Sequence, residues 1–251
     1  MNRLPEEGPS NFEVRVLPDA DEAARAAALE IFHAAADAIG NRGVFRIALS
    51  GGTTPVRLFR LLAVPPFRER AEWSRTRFFF VDERCVPPED PRSNYRLAKE
   101  HLLDPLGVPA ERVFRMHGED EPCRAAAEYQ SILEEEFGGQ DSVPRFDFVL
   151  LGLGTDGHTA SLFPGTRVVE ESGRWVAENE VAKLGEWRLT LTLPVLNASR
   201  WDVFLVTGAE KSGVVAKAVR RESSRELPAS FVRPDRGSLI WILDEAAAAG
   251  L

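Results

Sequence analysis

The sequence predicts an α/β fold in which one doubly wound, mostly parallel sheet is flanked by helices. Short apolar runs such as FRIAL, FFFV and DFVLL alternate along the chain with segments of helical periodicity. Strands of this kind are typical of parallel sheets that are covered by helices on both faces. The chain has 251 residues, of which 44% are hydrophobic, so it can bury a sizeable core. No internal repeat or domain linker is visible, and we expect a single domain over residues 1–251 with modified Rossmann-like topology.

The first elements follow from alternation and from helix-boundary residues. Residues 12–18 alternate between apolar and polar side chains and predict a strand. The Ala-rich stretch 19–40 predicts a helix that begins at an aspartate and stops at Gly40. Residues 45–50 predict a second strand, and a short helix over 55–62 opens on a proline.

The middle elements follow from the same criteria. Residues 77–82 predict a buried strand, because RFFFVD is almost entirely apolar until its last position. Residues 93–107 predict a helix with Ser93 as its cap and apolar residues at helical spacing. A short strand is predicted over 112–116, followed by an amphipathic helix over 122–138.

The last third of the chain begins with the most apolar strand, predicted over 146–152. Two further β-segments, 175–181 and 187–193, are expected to pair with each other. The remaining elements are a strand, a helix and a strand over 201–208, 211–222 and 238–245.

The composition argues against several classes of protein. The net charge of −8 and the pI near 5.2 leave no surplus of basic side chains, so we expect no nucleic-acid partner. No apolar run approaches the roughly 18 residues that span a bilayer, and MNRLPEEGPSNFEV shows no signal peptide. Cys85 and Cys123 have no metal-ligand spacing and are typical of free thiols in a reducing compartment. We expect a cytoplasmic monomer that contacts no membrane.

Four polar or glycine-rich loops directly follow predicted strands: GGTT, DERC, GLGTDGH and GAEK. In a doubly wound sheet, the loops after the strand carboxyl ends share one edge, and ligands bind there. The sequence therefore predicts that these four loops meet at one ligand site.

The first of these loops has the features of an anion site. Gly51 and Gly52 let the backbone approach a ligand closely, and the hydroxyl groups of Ser50, Thr53 and Thr54 are hydrogen-bond donors. A glycine turn between a strand and a helix N-terminus binds anions. The lysine of a Walker A loop is missing, so an NTPase is not predicted. The alternative is an ordinary turn with a threonine cap.

Charged side chains follow the apolar strand of the second loop. Asp82, Glu83 and Arg84 stand where charges are costly unless they are paired or used. Arg84 could bind a phosphate through two hydrogen bonds, and Asp82 could face a substrate. The alternative is an internal ion pair together with the helix cap at Ser93.

The third loop, GLGTDG, matches the G-x-G-x-x-G pattern of dinucleotide sites, with Gly152, Gly154 and Gly157 in the glycine positions. A dinucleotide site needs a helix of normal length after the glycines. Pro164 leaves room for at most two turns, so we favour a different role for this loop.

That role is to present His158, one of 4 histidines, and Asp156 to a single pocket. A neutral imidazole is the usual general base near pH 7. The chain has no G-x-S-x-G elbow, so a serine nucleophile is unsupported and water activated by His158 is left. The alternative is a capping aspartate beside a solvent-facing histidine. No second histidine or cysteine lies near enough in sequence to predict a metal site.

The motifs SGGTTP, FFFVDERCVPPEDPRSNYRLAKEHLL, FDFVLLGLGTDGHTASLFPG and LTLPVLNAS…VFLVTGAEK occur in this order over about residues 45–245. Together they resemble the 6-phosphogluconolactonase family of the glucosamine/galactosamine-6-phosphate isomerase superfamily. The resemblance implies hydrolysis of 6-phospho-D-glucono-1,5-lactone to 6-phospho-D-gluconate, the second step of the oxidative pentose phosphate pathway. It implies a small sugar-phosphate lactone as the partner and no metal, nucleotide or other cofactor.

The resemblance also implies residue roles. His158 would take a proton from the attacking water, and Asp156 would orient the imidazole or hold a sugar hydroxyl. Arg84 or backbone N–H groups of 152–157, including Gly154, would stabilise the oxyanion. The expected substrate- and phosphate-binding residues are Ser50, Gly51, Gly52, Thr53, Thr54, Asp82, Arg188 and Lys211.

Two alternatives are kept. Glucosamine-6-phosphate deaminases share the general fold, but they carry tyrosine at the position of Arg84 and an acidic residue in the histidine loop, where this chain reads TASLFPG. A non-catalytic sugar-phosphate sensor would need an attached DNA-binding module, for which the N-terminal extension of about ten residues is too short.

Overall fold

A computed structural model of the protein describes residues 11–139, 142–220 and 225–251. Its strands are β1 (Asn11–Leu17), β2 (Phe45–Leu49), β3 (Thr76–Phe80), β4 (Asp82–Arg84), β5 (Phe148–Leu151), β6 (Val176–Val181), β7 (Glu186–Leu191), β8 (Trp201–Val206) and β9 (Ser238–Asp244). Its α-helices are α1 (Ala20–Arg42), α2 (Thr54–Leu62), α3 (Asn94–Ala98), α4 (Asp104–Leu106), α5 (Pro122–Phe137), α6 (Leu193–Ala198), α7 (Ser212–Val219) and α8 (Glu245–Ala248). A π-helical turn, Lys99–Leu103, joins α3 to α4. Short 3-10 turns lie at Phe67–Glu69, Trp73–Arg75, Ala110–Arg112, Arg167–Glu170, Ala182–Leu184, Ala209–Lys211 and Pro228–Phe231.

The central sheet has six strands in the order β1-β9-β8-β5-β2-β3, and all neighbouring pairs are parallel. The predicted doubly wound α/β fold is therefore confirmed. From β2 the chain passes through α2 to β3 on one side, whereas from β5 it reaches β8 on the other side. Strand order thus reverses between β2 and β5, and the crevice at such a switch point is where ligands bind in open α/β sheets.

The core lies on both faces of this sheet because successive strand residues point in opposite directions. In β5, Phe148 and Leu150 pack in the cluster that contains α1 and α2, whereas Val149 and Leu151 pack in the cluster that contains α5 and α6. All four side chains are fully buried. A strand covered on both faces needs apolar residues at every position, which explains its continuous apolar sequence.

A second, antiparallel sheet has the order β4-β7-β6. It confirms the predicted pairing of the segments around 175–181 and 187–193. It also corrects the strand predicted over 77–82, which ends at Phe80. The reason is Val81, whose N–H donates to Leu49 of the central sheet at 2.9 Å and whose carbonyl accepts from Leu191 of the second sheet at 2.8 Å. The next residues therefore pair with β7.

Two other predictions are wrong at the level of local hydrogen bonds. Gly40 does not end α1; the helix continues to Arg42 and ends at Gly43, which adopts φ 77° and donates to the carbonyl of Ile39 at 3.0 Å. Residues 112–116 do not form a strand, since only Val113 makes an isolated bridge, to Phe78.

The helix predicted over 93–107 is present as the continuous run α3, π turn and α4. The Ser93 hydroxyl caps it by accepting a hydrogen bond from Arg96 N at 3.1 Å. Helix α7 begins one residue after the predicted start, and the predicted end falls among residues 221–224, outside the described residues. None of the helices in the described ranges combines the length and apolar character needed to cross a membrane.

Candidate active site

A cavity of about 580 Å³ lies between the loops that follow β2 and β5, at the switch point. The structure brings every site residue predicted from the sequence to its wall: Ser50, Gly51, Gly52, Thr53, Thr54, Asp82, Arg84, Gly154, Asp156, His158, Arg188 and Lys211. Residues that the sequence analysis did not single out also line it, among them Asn94, Ser161, Phe163, Lys183 and Leu184. The cavity is of the size that holds small molecules.

The loop after β5 folds as a tight turn around His158. Gly157, at φ 87°, donates to the carbonyl of Gly154 at 3.0 Å, and Gly154 donates to the carbonyl of His158 at 2.8 Å. A Cβ atom at Gly154 would lie 2.0 Å from His158 Nδ1, so only glycine leaves room for the imidazole. The next regular element is the 3-10 turn Arg167–Glu170. The helix that a dinucleotide site requires is therefore missing from this described segment.

Asp156 fixes the orientation of His158. The Asp156 Oδ1 atom lies 2.5 Å from His158 Nδ1. An ionised carboxylate can only accept, so Nδ1 carries a hydrogen, and in the neutral imidazole the lone pair is then on Nε2. Burial raises the pKa of Asp156, but hydrogen bonds from His158 and Lys183 outweigh that effect and hold the pKa well below its usual range. The pair has the arrangement of a general base with its orienting carboxylate.

Two further side chains surround this pair. The Phe163 ring stacks on the His158 ring, with 4.1 Å between the centroids and 24° between the planes. Lys183 Nζ donates to Asp156 Oδ2 and lies 4.9 Å from the centroid of Phe163. Phe163 follows His158 closely in sequence, whereas Lys183 comes from the connection between β6 and β7.

Two arginines stand opposite each other on the small sheet. Arg84 on β4 pairs in register with Arg188 on β7. Arg188 is buried, and burial together with the charge of Arg84 lowers its pKa. Its NH2 group contacts Glu186 Oε2 at 2.7 Å, while Arg84 donates to the carbonyl of Arg92. Like charges opposite one another in a sheet are unfavourable, so this pair is suited to an anion in the cavity.

The loop after β2 leads into helix α2. Gly52 has φ 96°, and the Thr53 side chain makes no capping hydrogen bond, so the alternative of a threonine-capped turn is not what the structure shows. Lys211 approaches the same cavity from the start of α7. Burial lowers the pKa of its ammonium group, and it forms no ion pair with any described residue. The loop and Lys211 thus offer N–H, hydroxyl and ammonium donors to an anion.

Asp82 lines the cavity but is held by neighbouring side chains. Its carboxylate accepts from Ser161 Oγ at 2.7 Å and from Asn94 Nδ2 at 3.1 Å. Asn94 Nδ2 donates to the backbone carbonyl and to the side-chain carboxylate of Asp82. The amide nitrogen therefore faces Asp82, and the amide oxygen of Asn94 faces Gly51. An added Cβ atom at Gly51 would lie 1.6 Å from that oxygen. The two loops are therefore fitted to each other at this point.

Glu83 has a structural role instead of a place in the cavity wall. Its buried carboxylate accepts hydrogen bonds from the backbone N–H groups of Arg84, Asn94 and Tyr95 at 2.7–2.8 Å, and from the Ser93 hydroxyl at 3.0 Å. Burial raises the pKa of Glu83 although these bonds oppose it. The alternative of an internal ion pair is replaced by hydrogen bonds to the N-terminus of α3.

One group of described residues has the composition of a metal site, and it lies outside the cavity. Ligand atoms of His117, Asp120 and Glu128 are within 4.8 Å of one another. His117 Nδ1 contacts Glu128 at 3.1 Å, and Asp120 accepts from Arg124 at 2.6 Å. These partners account for the cluster without a metal ion.

The fold and the cavity define a class of α/β protein in which a glycine loop, cationic side chains and an Asp–His pair meet at the switch point of a parallel sheet. Residues 18–241 match the family described as glucosamine-6-phosphate isomerases/6-phosphogluconolactonase. The chain belongs to this family.

Individual relatives agree with this assignment. The chain is 38% identical to the 6-phosphogluconolactonase of Nostoc sp., and the match covers 95% of this chain and 98% of that protein. It is 41% identical to the 6-phosphogluconolactonase of Homo sapiens, with 83% and 81% covered. A solved 6-phosphogluconolactonase from Trypanosoma cruzi has 30% identity and a TM-score of 0.85, with 98% and 99% covered.

Proposed function

We propose that this protein hydrolyses 6-phospho-D-glucono-1,5-lactone to 6-phospho-D-gluconate, the second step of the oxidative pentose phosphate pathway. The observation that carries the proposal is the Asp156-oriented His158 in a cavity that also holds the cationic side chains Arg84, Arg188 and Lys211. A lactone hydrolase needs one base, a donor for the oxyanion and, for this substrate, a phosphate site.

In this reaction His158 carries the proton in both steps, the attack of water and the opening of the ring. Nε2 takes a proton from water while the water oxygen attacks C1 of the lactone, and a tetrahedral oxyanion forms. When the oxyanion collapses, the bond between C1 and the ring oxygen breaks. The imidazolium returns its proton to the ring oxygen, and the new carboxylic acid ionises. The ionised Asp156 stabilises the imidazolium between these two steps.

The oxyanion donor has two candidates in the cavity. The backbone N–H groups of Gly154 and Gly157 already donate to carbonyls within the turn. Arg84 is favoured over them, because it lines the same cavity, is permanently charged and has more N–H donors than the one that it uses on the carbonyl of Arg92. The phosphate is assigned to residues 50–54 together with Arg188 and Lys211, because these supply the remaining donors.

The rest of the proposal concerns the whole molecule. We assign residues 1–251 to one domain and place the protein in the cytoplasm as a monomer that binds no nucleic acid. The net charge of −8 supports the last point, because phosphate backbones attract basic surfaces.

The test is a lactone-decay assay with purified protein at slightly acidic pH, where spontaneous ring opening is slower. Accelerated decay of the phosphorylated lactone, with little acceleration for D-glucono-1,5-lactone, is expected. Glucosamine 6-phosphate serves as the second substrate, with ammonia release as the readout. Sustained ammonia release without faster lactone decay would refute the proposal in favour of a deaminase.

A further inference from the structure

The connection between β6 and β7 carries a lysine to the candidate base. Residues Ala182–Leu184 form a 3-10 turn that ends at Gly185, which has φ 64° and donates to the carbonyl of Ala182 at 3.1 Å. This tight turn places Lys183 and Leu184 on the cavity wall. Its position is therefore set by the hairpin, independently of the glycine turn that carries His158.

Lys183 contacts the base by two routes. Its Nζ atom donates to Asp156 Oδ2, while the other oxygen of that carboxylate holds His158 Nδ1. The same Nζ atom lies over the ring of Phe163, which stacks on the imidazole. The lysine thus touches both groups that fix the ring, although it does not touch the ring's hydrogen-bonding atoms.

The contact between Lys183 and Asp156 changes the charge that the His158 imidazole experiences. Asp156 is the ion-pair partner of both His158 and Lys183. An unshared carboxylate favours the protonated imidazole, and a protonated imidazole cannot act as a base. The other titratable groups on the cavity wall are Asp82, Arg84, Arg188 and Lys211. Of all these charges, the one tied to the same carboxylate as the base is that of Lys183.

We propose that Lys183 is a positioning residue for the reaction: it holds Asp156 in place and shares the negative charge of that carboxylate, so that the His158 imidazole remains available as the base. The inference rests on the proposed hydrolase function. It assigns Lys183 no contact with the reacting atoms, so substitution should act through the base and not through substrate binding.

Lys183→Met should move the acidic limb of the kcat/KM profile to higher pH by about 0.5–1 unit. A charge this close can shift a titration by about 1–3 units, but half of the Lys183 side chain is exposed, and solvent screening reduces the effect. On the limb, the rate should fall about threefold to tenfold, because the unprotonated fraction changes about tenfold per pH unit. The plateau and KM should change little.

Two more variants test whether the charge of Lys183, and its place beside Asp156, cause the shift. Lys183→Arg keeps the charge and a donor for Asp156, and it should restore the wild-type profile. Lys99→Met is the matched control, because Lys99 Nζ holds the Asp104 carboxylate at 2.5–2.7 Å in a pair that does not line the cavity. It should leave the profile unchanged. Thermal melts of each variant show that the fold is intact.

The measurement is the rate of phosphorylated-lactone decay between pH 5.5 and 7.5, corrected for spontaneous hydrolysis, with KM and kcat determined at each pH. An acidic limb that does not move in Lys183→Met overturns the proposal. A KM that rises equally at all pH values also overturns it, because it shows that Lys183 contacts the substrate. Wild-type protein is measured first. If it does not accelerate decay, the proposed function fails, and that result is distinct from an active enzyme with an unmoved limb.

Discussion

Replacement of Asp202 by asparagine should stabilise the protein at neutral pH. Asp202 lies on β8 between Val149 and Leu239 of the neighbouring strands, and its side chain is fully buried. The Ser199 hydroxyl acts on this carboxyl and opposes the effect of burial, but neither carboxylate oxygen makes a well-formed hydrogen bond within the described part of the chain. Burial therefore raises the pKa of Asp202 well above its usual range.

The magnitude follows from proton linkage. In the unfolded chain the carboxyl ionises near pH 3.9, the approximate reference pKa, whereas the folded protein retains the proton. Between the two pKa values the folded state binds more protons than the unfolded state. The contribution of Asp202 to the free energy of unfolding is therefore largest at low pH and falls by about 1.4 kcal/mol per pH unit as the pH rises. At pH 7 this loss is at most about 4 kcal/mol. Asparagine does not titrate and avoids it.

Wild type and Asp202→Asn should be compared by thermal unfolding between pH 4.5 and pH 8. Near pH 4.5 the difference should be below about 1 kcal/mol, and by pH 7 the variant should gain about 1–4 kcal/mol, at about 2–4 °C per kcal/mol. Asp235→Asn, at an exposed position, is the control and should show no such trend. A difference in Tm that does not change with pH, or a less stable variant at pH 7, would refute the reasoning.

Three further predictions concern residues of the cavity, and a fourth variant, at Gly40, is a control for the glycine substitution. His158→Gln should lower kcat by about 10²–10⁴-fold in the corrected lactone assay, and a variant within about twofold of wild type contradicts the general-base role. Gly51→Ala should raise KM or lower Tm, because its Cβ would lie 1.6 Å from the buried Asn94 amide. Gly40→Ala, in an open helical position, should instead stabilise by about 0.5–1 kcal/mol. Arg188→Met should lower kcat/KM for the phosphorylated lactone about tenfold or more and leave that of D-gluconolactone unchanged, as expected for a hydrogen bond to a charged group; equal losses for both argue against a phosphate contact.

The central sheet could be predicted because its strands are buried on both faces and therefore read as apolar runs. The errors lie where one backbone hydrogen bond decides the structure. Gly40 and Gly43 are both plausible helix ends in sequence, and only the second adopts the left-handed conformation. Similarly, FFFV reads as one strand through Asp82, yet the backbone of Val81 bonds to both sheets.

The part of the candidate site that could be predicted from the sequence is the part that lies in loops directly after strands. Asp156 and His158 are neighbours in a turn, so their proximity is local. Lys183 is 27 positions from Asp156 and reaches it through the β6–β7 hairpin. Asn94 reaches Asp82 through the capping of α3 by a buried glutamate. Neither contact has a periodicity or motif in the sequence, because each depends on how separate elements dock.

The small antiparallel sheet makes this cavity a convenient scaffold for directed evolution. His158 stands on a glycine turn of the parallel sheet, whereas Arg188 and Lys183 belong to one hairpin whose two strands pair over six positions. Randomising the hairpin turn 182–186 varies the charge beside the base and the shape of the entrance, and it leaves the turn around Gly154 untouched. A library built there samples new lactone substrates while every member keeps Asp156, His158 and the glycine turn that carries them.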